Sequence, residues 1–369
     1  MLIDDDFPGG RIEVLRAARR GAASGARRPD GAAPVMQWFA FRVVDDTARS
    51  CKLIIENASF ATYASGWPSY RALASDDGRR WRRVPTDYDG SALLIQHEPR
   101  GPRTYYAYFA TYAQKRLEAL LARIARKRHV DVDLLAESPR GRPMWRAAFG
   151  DGYAARTIWV IARQHPGETP ASFAAHGLLE RLADQRDPAV RALLSRADVH
   201  VVPLVDVDGA ALGHMRTTGT GLNLNRVWDD PFESPEVSAI LEAMEGTGVD
   251  LFLDVHADED ASYCFAACSE GNPSYDERLA SEEAALREAL AEAIPEFRDE
   301  PFYPLDEPGE ADLSCASNQV GERWQIPSIT LELPIVDLDE GRPTGWSPVR
   351  AERAGRSLVD ALALHALRW

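Results

Sequence analysis

Two histidines and one glutamate are the residues of this sequence that point most directly to chemistry. His165 and Glu168 stand in the string His165-Pro166-Gly167-Glu168 after the apolar run TIWVIA, and His256 ends a second apolar run, DLFLDVH. A catalytic zinc ion takes imidazole nitrogen and carboxylate oxygen as ligands and leaves one position for water. Taken alone, the string at 165–168 would be better explained as an ordinary turn before a helix. Together with His256, it predicts a zinc site at the carboxyl ends of two strands, where open α/β sheets place ligands.

Glu332 is a charged residue inside the apolar run SITLELPIV. Burying a charge there is unfavourable unless the side chain has a partner or a function. A carboxylate beside the attacking water would have both, because it could act as the general base in zinc-assisted hydrolysis. We therefore predict that Glu332 is the general base, and a structural ion pair is the alternative.

Asp254 lies two residues before His256, so both side chains lie on the same face if DLFLDVH is a strand. In that position Asp254 could accept a hydrogen bond from a metal-binding histidine. An ion pair with an arginine such as Arg163 is an equally good explanation from sequence alone.

The elements that carry these residues follow from hydrophobic patterning. Up to about residue 110, the runs MQWFAFRVV, CKLIIENAS, SALLIQHEP and TYYAYFATY predict strands of an antiparallel β-sandwich. Residues 114–128 then predict an amphipathic helix. Beyond about residue 130 strands alternate with helices, including one helix capped by Thr169 with Pro170 in its first position. We therefore expect a β-sandwich domain over residues 1–112 and an α/β domain over residues 113–369.

Composition excludes several classes of function. A net charge of −15 argues against binding to nucleic acid, which requires a positive surface. The start MLIDDDFPGG lacks the apolar core of a secretory signal, and no stretch approaches the ~20 apolar residues of a membrane helix. Scattered cysteines indicate reduced thiols rather than a metal site formed by Cys264 and Cys268. We expect a cytoplasmic protein that binds neither membrane nor nucleic acid.

Longer motifs resemble a known family. The stretch ARQHPGETPASF resembles the zinc motif of the metallocarboxypeptidases of the funnelin group, within it the cytosolic carboxypeptidases, and LNLNRVW resembles their Asn-Arg-x-Trp signature. Arg216 stands nine positions before Asn225, as the equivalent arginine does in that subfamily. The runs MQWFAFRV and TYYAYFATYAQKRLEALL resemble its N-terminal β-sandwich and the junction after it. The resemblance implies a compact, bacterial-type member whose α/β domain has a mixed, mainly parallel sheet.

The resemblance also implies roles for individual residues. One Zn²⁺ ion would be held by His165, Glu168 and His256. Asn225 and Arg226 would bind the terminal carboxylate of a substrate, which suits a guanidinium. Arg216 would polarise the scissile carbonyl, and Glu332 would act as base and then as acid.

Three features depart from the subfamily pattern. The subfamily's Asn-Pro-Asp-Gly segment reads Asp206-Val207-Asp208-Gly209 here. Asn223 replaces the usual aspartate two residues before the Asn-Arg pair, and an amide can orient a histidine without raising its basicity. The basic residue expected to bind an acidic substrate side chain has no clear counterpart near Ser317 and Asn318. Arg323 is the candidate for that role and would give a weak preference for acidic C-terminal residues, and a surface ion pair with Glu322 or another acid is its alternative.

The sequence therefore predicts a zinc exopeptidase acting on the C-terminal tail of a peptide or protein. An aspartoacylase-like deacylase of N-acyl amino acids shares the zinc and Asn-Arg motifs and is the first alternative. A catalytically silent scaffold whose sandwich binds partners is the second.

Overall fold

The computed structural model describes residues 1–17, 22–45, 50–337 and 345–369. The first part of the chain forms ten short strands: β1 (Leu2–Asp4), β2 (Glu13–Ala17), β3 (Ala22–Ala26), β4 (Ala40–Val44), β5 (Cys51–Ile55), β6 (Leu73–Ser75), β7 (Arg82–Arg83), β8 (Thr86–Tyr88), β9 (Leu93–His97) and β10 (Arg103–Ala107). They form two five-stranded sheets, in the orders β1-β4-β10-β6-β7 and β2-β3-β5-β9-β8. Phe41 of the first sheet and Leu53 of the second are buried in the same apolar core. The predicted sandwich is confirmed.

One strand pair of the sandwich is parallel, although the sequence predicts an antiparallel arrangement. β3 pairs with β5 in parallel, whereas the other named pairings of these two sheets are antiparallel. The reason is that β4, which lies between them in sequence, belongs to the other sheet. The chain therefore crosses to that sheet and returns in the same direction.

The second part of the chain alternates strands and helices. Its elements are α1 (Gln114–Ile124), β11 (Val130–Glu137), β12 (Pro143–Phe149), β13 (Arg156–Ala162), α2 (Thr169–Leu182), α3 (Pro188–Leu194), β14 (Ala197–Val202), α4 (Val207–Leu212), α5 (Pro235–Thr247), β15 (Leu251–Asp258), β16 (Phe265–Ala267), α6 (Glu277–Ala293), α7 (Ala316–Trp324), β17 (Ser328–Pro334) and α8 (Pro348–Ala366).

These strands form one mixed sheet in the order β11-β12-β14-β13-β15-β17-β16. The four central strands β14, β13, β15 and β17 run parallel, and antiparallel strands flank them on both sides. β15 is buried along its whole length, as expected for a strand covered on both faces. The predicted α/β domain with a mixed, mainly parallel sheet is confirmed. Its central strands end at the edge that carries the predicted site residues.

Serine residues cap two helices of the α/β domain. Ser234 caps α5 by accepting a hydrogen bond from the Val237 amide at 3.1 Å, and Ser347 caps α8 before Pro348. The predicted cap at Thr169 is wrong by one position, because Glu168 is the cap residue of α2 and makes no side-chain capping bond. The Glu168 carboxylate is held by the two histidines instead.

The two parts of the chain share one continuous apolar core. Arg83 of the sandwich also donates hydrogen bonds to the carbonyls of Ile335 at 2.6 Å and Trp346 at 3.2 Å. The boundary at residues 112/113 stays a prediction. Among the residues described, no helix is both long and apolar enough to cross a membrane.

Candidate metal centre and substrate cavity

His165, Glu168 and His256 form a buried cluster, as the sequence predicts. His165 and Glu168 lie in the loop between β13 and α2, and His256 lies on the neighbouring strand β15. Nδ1 of His165 is 2.6 Å from Oε1 of Glu168, and Nδ1 of His256 is 2.9 Å from Oε2 of the same carboxylate. One ligand atom from each of the three side chains lies within 4.8 Å of the others. Two imidazole nitrogens and a carboxylate therefore converge on one point.

The far nitrogen of each imidazole is held by an oxygen. His165 Nε2 donates to Oδ1 of Asn223 at 3.1 Å, and His256 Nε2 donates to Oδ2 of Asp254 at 2.8 Å. These contacts direct both Nδ1 atoms toward the shared point, the usual support for metal-binding histidines. Asp254 is therefore the partner of His256, and Arg163, its alternative partner, donates elsewhere.

The charge of the cluster fits a divalent metal ion. Burial lowers the pKa of His165 to about 4, so its imidazole is neutral at pH 7. Burial also acts to lower the pKa of His256, but Asp254 and Glu168 outweigh it and raise that pKa. Burial acts to raise the pKa of Glu168, and the two histidines outweigh it and lower that pKa. The Asp254 and Glu168 carboxylates thus favour positive charge at the histidine pair. A Zn²⁺ ion would supply that charge with both histidines neutral.

A buried arginine fixes the loop that carries His165 and Glu168. Arg163 has left-handed backbone angles, with φ of 61°, and donates to the Pro166 carbonyl from Nε at 2.9 Å and Nη2 at 2.7 Å. A side chain on Gly167 would collide with Met215, whose carbonyl accepts a hydrogen bond from the Gly167 amide at 2.8 Å. The loop is therefore rigid and joined to the segment that precedes Arg216.

Glu332 lies on β17 directly beside His256 of β15 in the sheet register. Its Oε1 accepts a hydrogen bond from the Tyr303 hydroxyl at 3.3 Å, and this hydroxyl also donates to Asp258 at 2.7 Å. Oε2 of Glu332 is buried and has no hydrogen-bond partner in the described part of the chain. Among the residues that the structure describes, no lysine or arginine forms a salt bridge with this side chain, as a structural ion pair would require.

Arg216 is held in the same cavity by the sandwich. Its Nη1 donates to the Tyr63 hydroxyl at 2.8 Å. Asp30 accepts the backbone amides of Met215, Arg216 and Thr217 at 2.8, 2.6 and 3.1 Å. Sequence reasoning missed both Asp30 and Tyr63, because they lie in turn-rich segments far from Arg216 in sequence.

Asn225 and Arg226 lie in a short 3-10 helix that Asn223 caps. The Asn225 amide oxygen accepts a hydrogen bond from the Ala316 amide at 2.7 Å. The Arg226 side chain is 44% exposed, with Nε 3.4 Å from Asp312, so it can still contact a ligand. Trp228 of the same segment donates to Gln164 at 2.8 Å, and Gln164 donates to Asp254 at 2.6 Å. The signature around residue 225 is thereby connected to the histidine cluster.

One cavity of about 890 Å³ contains the predicted site residues except Arg323. Those that line it are His165, Glu168, Arg216, Asn225, Arg226, His256 and Glu332. The arrangement can hold a metal ion, accept a proton and bind two anionic groups. Such a set of groups suits hydrolysis of a peptide bond next to a carboxylate.

The predicted substrate-binding role of Arg323 is not supported by the structure. Arg323 is not among the described residues that line the cavity. Its guanidinium pairs with Glu245 and lies over the Trp324 ring, 4.8 Å from the centroid. The alternative of a surface ion pair is correct, although the partner is Glu245 rather than Glu322, which accepts bonds from Ser274.

We expect Asn223→Ala to lower zinc affinity about 10- to 100-fold, because His165 would lose the acceptor that orients it. Asn223→Asp should raise the affinity, since a carboxylate makes the imidazole a stronger ligand. Competition with a chromogenic chelator measures both. Asn318→Ala, in the wall of the same cavity, is the control and should leave the affinity unchanged; equal affinities in all four proteins would contradict the prediction.

Comparison with known proteins agrees with this geometry. Residues 3–109 match the family model of the cytosolic carboxypeptidase N-terminal domain, and residues 117–326 match that of zinc carboxypeptidases. An uncharacterized protein of Zymomonas mobilis is 40% identical over 338 residues, covering 90% of this chain and 88% of that protein. Human cytosolic carboxypeptidase 6 is 25% identical over 264 residues, 62% of this chain and 52% of that protein.

Solved structures show the same fold over almost the entire chain. A metallo-carboxypeptidase from Pseudomonas aeruginosa is 38% identical, with a TM-score of 0.93 and coverage of 98% of both chains. With the family match over more than half of its residues, this chain belongs to the zinc carboxypeptidase family, in which one zinc ion serves the hydrolysis of C-terminal peptide bonds, and it carries the cytosolic carboxypeptidase N-terminal domain.

Proposed function

We propose that this carboxypeptidase removes single residues from free C-termini of peptides or protein tails, with His165, Glu168 and His256 holding its zinc ion. One observation carries the proposal. Among the arginines that line the cavity with the buried cluster, Arg216 and Arg226 have different surroundings. Two anionic groups of one substrate, the developing oxyanion and the terminal carboxylate, require two such cations.

A bound zinc ion supplies polarisation of the scissile carbonyl and lowers the pKa of water. Glu332 accepts the proton of the attacking water at Oε2, the oxygen to which no described residue donates a hydrogen bond, and then gives it to the leaving amine. Tyr303 and Asp258 fix the other side of this carboxylate through the shared hydroxyl. The sandwich contributes Tyr63 to the lining of the same cavity.

Arg226 binds the substrate's terminal carboxylate in this proposal, and Arg216 stabilises the oxyanion. Burial acts to lower the pKa of Arg216, but Tyr63 and Glu168 outweigh it and raise that pKa, so its guanidinium stays charged. Arg226 is more exposed, which suits a group that must capture a substrate arriving from solvent.

A ligand bound by a relative supports carboxylate binding. The Pseudomonas aeruginosa metallo-carboxypeptidase was solved with (2-guanidinoethylmercapto)succinic acid, a molecule with two carboxylates and a guanidino group. At 38% identity over 98% of the chain, we transfer from it only the class of ligand: a carboxylate, for which Asn225 and Arg226 provide the binding groups here.

Acidic C-terminal residues are not part of the proposal. Arg323, the candidate for binding them, pairs with Glu245 and does not line the cavity, and Arg287 is the remaining arginine that lines it in the described ranges. Nη1 of Arg287 lies 3.2 Å from Asp299, so its charge is already balanced. A cytoplasmic location is also proposed, supported by the name of the N-terminal family model and by four free cysteines.

Amidation of the C-terminus of a peptide substrate should abolish its cleavage, because Arg226 would lose its charged partner. Mass spectrometry of paired peptides, free and amidated, measures the difference. Arg226→Gln should lower kcat/KM for the free peptide by about 10- to 100-fold, the loss expected for a hydrogen bond to a charged group.

Arg278→Gln is the matched control, since this exposed arginine pairs with Glu282 outside the cavity. Equal rates on free and amidated peptides would show that the terminal carboxylate is not recognised. Turnover of N-acyl amino acids without turnover of peptides would favour the deacylase. No turnover of either by zinc-loaded protein would favour the silent scaffold.

A further inference from the structure

Glu259 is a buried carboxylate for which the proposed chemistry has no use. It follows β15, three residues after His256, and is 6% exposed. It lines the same cavity as the metal cluster. Its Oε1 has no hydrogen-bond partner among the residues that the structure describes. A carboxylate buried without a partner is costly, so its retention needs an explanation.

The two acids beside Glu259 do have partners. Asp258 accepts the Tyr303 hydroxyl at 2.7 Å and the amides of Asp260 and Ala261 at 2.8 and 2.6 Å. Asp260 accepts the Ser65 hydroxyl of the sandwich at 2.8 Å. Hydrogen bonds therefore fix the loop on both sides of Glu259. Within this fixed loop, Oε1 of Glu259 still has no partner among the described residues.

The charges around Glu259 are those of the active site. Burial raises the pKa of Glu259, Glu168 and Asp258 add to this effect, and Arg216 opposes it. Arg216 donates its hydrogen bond to Tyr63 rather than to Glu259. A cationic donor beside Glu259 would offset the charge of the ionised carboxylate and bond to Oε1. No residue in the described parts of the chain donates a hydrogen bond to that oxygen.

Glu259 lies toward the Arg216 end of the cavity. Asp260, the next residue, accepts the Ser65 hydroxyl at 2.8 Å, and Tyr63 of the same sandwich segment accepts a hydrogen bond from Arg216 at 2.8 Å. Arg226 instead lies beside Asp312, with its Nε 3.4 Å from that carboxylate. The sandwich thus holds the part of the cavity with Arg216 and the loop of Glu259, and a different segment flanks Arg226. If Arg226 binds the terminal carboxylate, Glu259 faces the part of the substrate on the amino side of the scissile bond.

We propose that Glu259 binds a cationic group of the substrate, an ammonium or guanidinium, on the amino side of the scissile bond. This inference rests on the proposed function, which sets the direction of the substrate. A lysine or arginine side chain at the residue before the scissile bond is one source of the cation. The free α-ammonium of a dipeptide is the other, because one residue then separates it from the scissile bond.

The charge of the cavity walls agrees with a cationic ligand. Beyond the proposed catalytic carboxylates, seven acids line the cavity in the described ranges: Asp258, Glu259, Asp260, Glu270, Asp299, Glu300 and Asp306. Of these, Asp299 pairs with Arg287. Arg216 and Arg226 are assigned to the oxyanion and the carboxylate. The remaining field is therefore negative and attracts positive groups.

The test compares wild type, Glu259→Gln and the control Glu310→Gln, an exposed position outside the cavity, all loaded with zinc. The first peptide pair is acetyl-Ala-Ala-Lys-X and its norleucine analogue, where X is the residue that wild type removes best. The second pair is the dipeptide Ala-X, free and acetylated. Wild type should favour the cationic member of at least one pair by about 10- to 100-fold in kcat/KM, the scale of a hydrogen bond to a charged group. Glu259→Gln should remove that preference, and Glu310→Gln should keep it.

Calorimetry with the same peptides and zinc-free protein gives a second readout that does not depend on catalysis. Preference confined to the lysine peptide assigns the cation to the side chain, and preference confined to the free dipeptide assigns it to the α-ammonium. A Glu259-dependent binding preference without cleavage would keep this inference and reject the proposed function. Cleavage without charge preference, or an equal effect of Glu259→Gln on both members of each pair, would reject the inference alone.

Discussion

Glu332→Gln is expected to reduce kcat by about 10²- to 10⁴-fold, the contribution typical of a positioned general base. Glutamine preserves the shape of the side chain but cannot take a proton from the attacking water. Zinc content and the affinity for a peptide should change little, because Glu332 is outside the His165, Glu168 and His256 cluster. Steady-state kinetics with the best peptide substrate, together with metal analysis of the same samples, measures these effects.

The pH dependence provides a separate check on Glu332. Burial raises its pKa, Glu168 and Asp258 add to this, and His256 opposes it. Protonated Glu332 cannot act as a base, so wild-type kcat/KM should fall as the pH decreases through this raised pKa, above the range of a free glutamate. The residual activity of Glu332→Gln should lack that acidic limb. Glu310→Gln, an exposed position, is the control, and near-normal turnover of Glu332→Gln would assign the base elsewhere.

The metal cluster could be predicted from sequence because its position depends on few strands. His165 and Glu168 follow β13, His256 ends β15, and Glu332 lies on β17. These three strands are adjacent and parallel, so residues at their carboxyl ends must be neighbours. The apolar runs placed these side chains on strands of one sheet, the family resemblance grouped them as one site, and the strand order of the structure makes them neighbours.

Arg323 shows where this reasoning fails. It is near Glu332 in sequence, but it lies on α7, and a helix directs successive side chains to all sides. Only the packing of α7 against β17 and β15 decides which face meets the cavity. That face carries Ser317, which bonds to Thr330 at 2.9 Å, while Arg323 faces the surface.

Asp30, Tyr63 and Glu259 were not predicted for a different reason. Each is an ordinary residue type in a loop, with no motif around it. Their roles arise from contacts across the junction of the sandwich and the α/β domain, such as the bonds from Asp30 to the backbone around Arg216. Long-range contacts between loops leave no periodic pattern in sequence. The parallel pairing of β3 with β5 has the same origin, because it depends on where β4 goes.

Arg216→Ala is expected to lower kcat by about 10²- to 10³-fold, the loss measured when one donor of an oxyanion site is removed. A donor that acts on charge developing in the transition state contributes little to ground-state binding, so KM should change much less than kcat. Arg216→Lys should recover only part of the rate, because an ammonium cannot reproduce the planar guanidinium. Steady-state kinetics on one peptide separates kcat from KM for both variants.

If the sandwich positions Arg216 through Tyr63, a substitution of Tyr63 should also lower kcat. Tyr63→Phe removes the hydrogen bond to Nη1 and leaves the ring in place, so kcat should fall by less than in Arg216→Ala. A double substitution should then cost no more than Arg216→Ala alone, because Tyr63 would act only through that guanidinium. Arg323→Ala is the control, since its surface pair with Glu245 predicts unchanged kcat and KM. Additive losses of kcat in the double variant would instead indicate that Tyr63 contacts the substrate directly. A normal kcat in Arg216→Ala would show that other groups stabilise the oxyanion.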